Sequence, residues 1–328
     1  MTTPVRVATF VVGLAVVFAA ALGIGNAVGP VADEPVSHDE EHVADGTDEH
    51  GEGHGDTGDT SETEPAADVP GGLMISQAGY TFRLAEESAR PGSGVLLSFT
   101  IGGPDGQPVT KYDVEHEKRL HLIATRRDFT GFQHVHPVLD ADGTWRARLD
   151  LTPGAWRLFA DFKATGAEAL TLGADLAVAG DYRPKPPTAE VRTALVDGYR
   201  VTLEGDLTAG EDAELTLSVS KDGRPVTDLQ PYLGAYGHLV ALREGDLAYL
   251  HVHPDGTPGD GETEPGPDVV FYAAVPSDGG YRLYLDFRHD GVVRTASFAV
   301  SAGESGAPAE PEETHEEAPD EEEGDHGH

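Results

Sequence analysis

Six histidines in this sequence have the type and spacing that suit a transition-metal ion, and they fall into two groups of three. In each group, one histidine is followed thirteen residues later by a His-x-His pair. Neutral imidazole nitrogen is a ligand for zinc(II), copper(II) and nickel(II), so three imidazoles at one point supply most of a coordination shell. The two predicted ligand sets are His121, His134 and His136 in the first group, and His238, His251 and His253 in the second.

The two groups lie in a duplicated stretch of sequence. Residues 105–137 align without a gap with residues 222–254, and 13 of these 33 positions are identical. Further along, Trp156–Phe162 matches Tyr281–Phe287 through a shared Arg-Leu-(Phe/Tyr)-x-Asp-Phe pattern. The chain therefore contains one domain twice, with matching histidines in both copies.

A β-hairpin would bring the histidines of the second copy together. The Gly245-Asp246 pair lies between two strand-like runs and is typical of a two-residue turn. Residues whose numbers sum to 491 would then face each other, which pairs His238 with His253. Side chains alternate along a strand, so His251 would point to the same face as His253.

The first copy gives the same arrangement if its turn is centred on Asp128 and Phe129. His121 then lies opposite His136 and beside His134, at distances that one ion can bridge. This prediction depends on register, because a loop of odd length would place His121 on the opposite face.

Structural roles for these polar residues are also open. The histidines could be retained after duplication, or be held in the core by backbone hydrogen bonds and packing. Asp161 and Asp286 recur in the two copies, and each could be a fourth ligand, an acceptor that orients a histidine, or a partner of an arginine. His116 has no counterpart, since Leu233 stands there, and we expect it on the surface.

The segments around the histidines predict an all-β fold. Short runs rich in β-branched residues, such as 95–101 and 292–300, are separated by clusters of Gly, Pro and Asp. This pattern is typical of antiparallel sandwiches. We expect two tandem immunoglobulin-like β-sandwiches, one over residues 71–181 and one over 188–301, joined by the proline-rich connector Tyr182–Pro187.

The N-terminal residues 1–30 predict export from the cytoplasm. Residues 7–28 are nearly all apolar and follow Arg6, and this run is long enough for a membrane-spanning helix. The same stretch also fits a signal peptide cleaved near Gly25-Asn26-Ala27. The protein is therefore expected either in the cell membrane, with a single span and its C-terminal part outside, or secreted.

Two acidic segments, 31–70 and 302–328, are predicted to be disordered. Residues 31–68 hold 14 Asp or Glu and residues 302–328 hold 11, with no Lys or Arg in either. The net charge of −36 argues against nucleic acid as a partner. Seven histidines in these tails could collect metal loosely or belong to a solubilising spacer; they are His38, His42, His50, His54, His315, His326 and His328.

The residue inventory limits the chemistry further. The chain has no cysteine, which excludes disulfides, thiolate metal sites and thiol redox chemistry. Apart from Met1 it has only Met74, so a thioether-rich copper(I) site is also excluded.

The motif His-Leu-(Ile/Val)-x(10)-His-Val-His-Pro, with the later Arg-Leu-(Phe/Tyr)-x-Asp-Phe strand, resembles exported actinobacterial proteins with FixH- or YtkA-like β-sandwich domains. The stretch Pro231–His238 is also similar to that group, whereas the first copy departs from it there. The likeness covers about residues 72–300. It implies heavy-metal handling, chiefly of copper, outside the membrane.

Three functions are compatible with these observations. The favoured one is an extracytoplasmic protein that captures copper(II) or zinc(II), or delivers it to a protein partner, with one site in each copy. The alternative is a cell-surface interaction module whose histidines are structural. A metallohydrolase ranks last, because the copies share no glutamate that could act as acid or base beside the ion.

Overall fold

The computed structural model describes residues 69–186 and 189–303, and all of the regular elements in these ranges are β-strands. The predicted N-terminal helix lies outside the described residues, as do nearly all of the linker 31–70 and the tail from residue 304 onward. Within the described ranges, no helix has the length and apolar character that crossing a membrane requires.

Ten strands belong to each sequence repeat. The first repeat contains β1 (Ser76–Gln77), β2 (Tyr80–Leu84), β3 (Ser88–Ala89), β4 (Gly92–Gly102), β5 (Leu120–Arg126), β6 (Gln133–Val135), β7 (Val138–Leu139), β8 (Thr144–Leu151), β9 (Gly154–Lys163) and β10 (Ala169–Val178). The second contains β11 (Thr193–Val196), β12 (Tyr199–Glu204), β13 (Leu207–Thr208), β14 (Asp212–Lys221), β15 (Arg224–Pro225), β16 (His238–Arg243), β17 (Val252–Pro254), β18 (Asp268–Ala274), β19 (Gly279–His289) and β20 (Val292–Gly303).

Each repeat folds into two sheets. In the first repeat the strand orders are β1-β2-β4-β8-β7 and β3-β10-β9-β5-β6, and in the second they are β11-β12-β14-β18-β17, with β15 beside β14, and β13-β20-β19-β16. Pairing is antiparallel except for the short edge pairs β3–β10 and β13–β20. The predicted pair of immunoglobulin-like antiparallel sandwiches is confirmed. The last strand, β20, continues through Gly303, two residues into the segment assigned to the tail.

Alternation along the strands builds a separate core inside each sandwich. On β8 every second side chain is buried and the others face solvent, as expected for a sheet with one wet face. On β5, by contrast, the first six residues are all buried. Leu120, Leu122 and Ala124 belong to the core of the first sandwich, so the residues between them must be covered from outside it.

The covering surface is the second repeat. A third apolar cluster joins Ile123 and Phe159 of the first repeat to Val240, Leu242 and Tyr284 of the second. Phe132 stacks on Tyr284 with 3.8 Å between ring centroids and 5° between planes, and Tyr284 donates a hydrogen bond to the Phe129 carbonyl at 2.9 Å. The sheets that carry β5 and β16 therefore pack against each other, and this interface positions the histidines.

Candidate metal centre

His121 and His238 occupy equivalent places on β5 and β16. On β16, Leu239 and Ala241 enter the core of the second sandwich, so His238 points the opposite way, toward the first repeat. His121 lies opposite Asp161 on the neighbouring strand, and His238 lies opposite Asp286. The duplication thus places two His–Asp pairs at one interface between the repeats.

The first hairpin brings His134 and His136 to His121. Leu122 pairs with Val135 and Ile123 with His134, which is the predicted register. The three histidines each offer a nitrogen, and these nitrogens all lie within 4.8 Å of one another. The predicted geometry of the first group is therefore confirmed.

His238 of the second repeat joins this trio. Its ring stacks on His121 with 5.4 Å between centroids and 10° between planes, and it lies 4.8 Å from the His134 ring. We call His121, His134, His136 and His238 the four-histidine cluster. It combines residues from both repeats, whereas the sequence alone predicted one group inside each.

The predicted pairing of His238 with His253 is wrong. The second hairpin keeps its expected register near the turn, where Leu242 faces Tyr249. The chain then crosses to the other sheet, where His253 lies opposite Tyr272 on β18. His251 and His253 are both exposed, with 4.0 Å between their ring centroids.

One sequence difference explains why the second hairpin diverges. The first repeat has Gln133 at the position of Leu250. Gln133 stays at the sheet edge, where its side chain hydrogen-bonds the backbone N–H and carbonyl of Asp150. Leu250 is apolar and is buried in the core of the second sandwich, which draws the strand inward between the sheets. The Ala274 N–H then donates to the His251 carbonyl at 3.2 Å.

Hydrogen bonds to neighbouring oxygens fix the tautomers of two cluster histidines. His134 Nδ1 lies 2.8 Å from Asp286 Oδ2, and His121 Nε2 lies 3.2 Å from the Glu115 carbonyl. Both oxygens only accept, so each of these nitrogens carries a proton and donates it. In a neutral imidazole the other nitrogen then bears a lone pair, which is the case for His134 Nε2 and His121 Nδ1.

These two lone pairs point at each other across 3.0 Å. Two acceptors at that distance repel unless a proton or a cation lies between them. In addition, His136 Nε2 and His238 Nε2 are buried with no hydrogen-bond partner among the described residues. Four ring nitrogens of the four-histidine cluster therefore lack a favourable contact: His121 Nδ1, His134 Nε2, His136 Nε2 and His238 Nε2.

Burial lowers the pKa of three of the four cluster histidines. Burial, followed by the neighbouring His134, lowers the pKa of His121 to about 3. Burial, His134 and then Lys118 lower the pKa of His136 to about 4. Burial and the surrounding histidines also hold the pKa of His238 well below its usual value. These rings can therefore offer lone pairs at neutral pH.

The two recurring aspartates have different partners. Asp286 accepts hydrogen bonds from His134 across the interface and from Thr295 within its own repeat. Asp161 accepts from Thr171 at 2.9 Å, and burial raises the pKa of its carboxyl. Asp286 is therefore placed to orient a histidine, which is one of the roles left open by the sequence.

His116 is exposed, as expected from the sequence. It also lies beside the four-histidine cluster, which the sequence did not indicate. Its ring centroid lies 5.7 Å from that of His238 and 6.1 Å from that of His121. It has no repeat counterpart, so the duplication gave no indication of this position.

Comparison with protein families shows where this chain belongs. A family described as a domain of unknown function, DUF8832, matches residues 75–180 and again residues 194–304. The chain is a member of this family. Its two DUF8832 domains coincide with the two sandwiches, so the cluster lies between the two copies of the family domain.

Similarity to individual proteins is low. No curated protein matches the chain. Solved structures include the Escherichia coli adhesin FdeC, at 20% identity over 72% of this chain and 66% of that one, with a TM-score of 0.22. The Yersinia pseudotuberculosis adhesin InvE has 11% identity over 69% and 60%, with a TM-score of 0.21. The match therefore spans slightly less than two thirds of each of these two adhesin structures, and similarity at this level carries no functional argument.

Proposed function

We propose that this chain is an extracytoplasmic metal-binding protein that holds one copper(II) or zinc(II) ion between its two DUF8832 repeats. The ligands are the four nitrogens His121 Nδ1, His134 Nε2, His136 Nε2 and His238 Nε2. The observation that carries the proposal is the 3.0 Å distance between His121 Nδ1 and His134 Nε2. The other nitrogen of each ring already donates a hydrogen bond to a different oxygen.

A cation removes the repulsion at this contact. A proton held between the two nitrogens could also do so. A metal ion satisfies more of the cluster, because it takes up the two unpartnered nitrogens of His136 and His238 as well. Metal binding would then displace a proton, as is usual for histidine ligands.

The spacing of the trio His121, His134 and His136 is close to that of a coordination shell. With metal–nitrogen bonds of about 2.05 Å, the ligand atoms of a tetrahedral zinc site lie roughly 3.3 Å apart. The His121–His134 contact is 3.0 Å, and the nitrogens of the trio lie within 4.8 Å of one another. A small expansion of the His121–His134 contact, and a contraction of the other contacts of the trio by up to about 1.5 Å, would meet the tetrahedral geometry.

The donor set favours copper(II) and zinc(II). Imidazole suits both ions, and copper(II) is expected to bind more tightly by the general order of divalent affinities. The hydrogen bond from His134 to Asp286 repeats the carboxylate–histidine–metal arrangement, in which the carboxylate fixes the ring and makes its free nitrogen more basic.

The proposal also includes the cellular location of the protein and a partner that receives the ion. The apolar segment 7–28 would export the chain or anchor it with the repeats outside the cell. The ion would be captured there or passed on to a partner protein.

A matched pair of double substitutions in the full chain tests the proposal. His136→Ala/His238→Ala removes two proposed ligands whose Nε2 atoms have no hydrogen-bond partner within residues 69–186 and 189–303. His251→Ala/His253→Ala removes two exposed histidines and leaves the cluster intact. Both variants keep the seven tail histidines, so background binding is the same. The measurement is equilibrium dialysis with elemental analysis, together with the absorption spectrum of bound cobalt(II).

We expect the wild type and His251→Ala/His253→Ala to hold one tightly bound ion with the intense spectrum of tetrahedral cobalt(II). His136→Ala/His238→Ala should lose that ion and that spectrum. Equal binding in all three proteins, or no tightly bound ion in the wild type, would return the histidines to a structural role.

A further inference from the structure

A polar cavity of about 140 Å³ lies beside the four-histidine cluster, between the two repeats. Its wall includes His121 and His238 of the cluster, together with Asp161 and the exposed His116 and His251. A polar space of this size can hold several water molecules, and therefore also a hydrated ion. The cavity thus connects exposed histidines with cluster ligands.

The cavity lies where the second repeat lacks a contact that the first repeat makes. The repeats are related so that His251 corresponds to His134 and Asp161 corresponds to Asp286. His134 donates to Asp286 across the interface at 2.8 Å. Within residues 69–186 and 189–303, the equivalent Asp161 has a hydrogen bond from Thr171 and none from His251.

The neighbouring aromatic contacts show the same asymmetry. Phe132 and Tyr284 stack with 3.8 Å between their ring centroids. The equivalent rings Tyr249 and Phe159 are 5.8 Å apart and inclined at 48°. The interface is therefore closed at the cluster and wider at Asp161, which leaves room for the cavity.

We propose that Asp161, His116 and His251 form a second, weaker metal site in this cavity, from which an ion passes to the four-histidine cluster. This inference rests on the proposed function. Asp161 supplies an oxygen ligand, and the two exposed histidines supply nitrogen at the solvent side. His121 and His238 border the same cavity, so an ion held there already lies beside two ligands of the cluster.

Several features make this second site weak. Among the described residues, the trio His121, His134 and His136 is the group whose donor atoms lie close enough together to hold a metal ion, and Asp161, His116 and His251 do not form such a group. Lys118 and Arg119 share the cavity wall and repel a cation. Glu115, the other carboxylate of the wall, is paired with Lys163 at 3.3 Å. Weak binding suits a site that releases its ion inward.

Stopped-flow loading of the full chain with cobalt(II) tests this route. Tetrahedral cobalt in the cluster absorbs strongly, whereas six-coordinate cobalt in the solvated tails absorbs weakly, so the signal reports arrival at the cluster. Asp161→Asn and His251→Ala should slow loading about tenfold, because each removes a ligand that concentrates the ion beside the cluster, and local concentration of an ion raises association rates by that order or more. The final spectrum should be that of the wild type.

His253→Ala is the matched control. His253 is exposed and lies two residues from His251 but does not line the cavity, so this variant should load at the wild-type rate. Wild-type rates in Asp161→Asn and His251→Ala, with a normal final spectrum, would overturn the route and leave the cluster standing. Equal slowing by His253→Ala would also overturn it. Failure of the wild type to develop the tetrahedral spectrum would overturn the cluster and the route together.

Discussion

Asp286 of the second repeat accepts a hydrogen bond from His134 of the first, with 2.8 Å between Oδ2 and Nδ1. The side chains of His134 and Asp286 are only 1% and 4% exposed. The contact links 152 residues of sequence and fixes which nitrogen of His134 is free for an ion. The contact joins the two repeats at the proposed metal site.

Asp286→Asn should weaken metal binding without removing a ligand. The amide cannot take up the positive charge that develops on the histidine, so we expect a loss of about 10- to 100-fold in affinity. Asp161→Asn is the control, because Asp161 makes its hydrogen bond with Thr171 and its change should leave the equilibrium affinity of the cluster unaltered. Competition titration with a chromogenic chelator measures both. Equal losses in the two variants would contradict the assigned role of Asp286.

His238→Ala should separate stability from binding. The buried His238 Nε2 has no hydrogen-bond partner among the described residues, so in the absence of metal the substitution gives up the packing of the ring but no hydrogen bond of that nitrogen. In the wild type, an ion at a free concentration of about 100 times Kd stabilises the fold by about 2.7 kcal/mol. This increment should fall sharply in the variant, as measured by thermal unfolding with and without zinc(II). If zinc(II) stabilised His238→Ala as much as the wild type, His238 would be excluded as a ligand.

The metal-free protein should lose stability in mild acid. The pKa values of His121 and His136 are lowered to about 3 and about 4, whereas in the unfolded chain they are near 6.5. Between these values the unfolded state binds more protons, so the free energy of unfolding falls as the pH drops from about 6.5 toward 4. Denaturant titrations at several pH values measure the slope. His136→Ala should make the free energy of unfolding less dependent on pH. A pH profile identical to that of the wild type would contradict the lowered pKa of His136.

The interface between the repeats should influence binding although its apolar residues are not ligands. Tyr284→Ala removes the stack on Phe132 and the hydrogen bond to the Phe129 carbonyl. Truncation of a buried aromatic ring lowers the free energy of unfolding by about 3 kcal/mol or more. We also expect a weaker metal affinity, because His238 is held by the same sheet.

Tyr272→Ala is the control for that substitution. Tyr272 is 42% exposed and lies on the second sandwich away from the interface cluster. Its removal should change stability by less than about 0.5 kcal/mol and leave metal affinity unaltered. Unchanged metal affinity in Tyr284→Ala would show that the cluster does not depend on docking of the repeats.

Much of the fold and of the first histidine group follows from the sequence. The constant spacing between the copies indicates the duplication, and the hairpin register that pairs Leu122 with Val135 follows from the position of Asp128 and Phe129. This works because a hairpin is a local structure, in which the turn determines which residues face each other.

The association of the repeats could not be derived from the same local rules. The two hairpins diverge because Leu250 is drawn into a core while Gln133 remains at a sheet edge, which depends on the surrounding sandwich. One pattern did carry information. The runs Leu120–Ala124 and Leu239–Leu242 lack the alternation of a half-exposed strand, which indicates that both faces are covered. Since each repeat carries such a run, each is the natural cover for the other.

Metal binding between the two repeats is tested most directly by a crystal structure of the full chain with zinc(II). Anomalous diffraction would be recorded on both sides of the zinc absorption edge. We predict one strong anomalous peak between the repeats, about 2.0–2.1 Å from His121 Nδ1, His134 Nε2, His136 Nε2 and His238 Nε2. A strong peak at His251 and His253 instead, or no peak between the repeats, would contradict it.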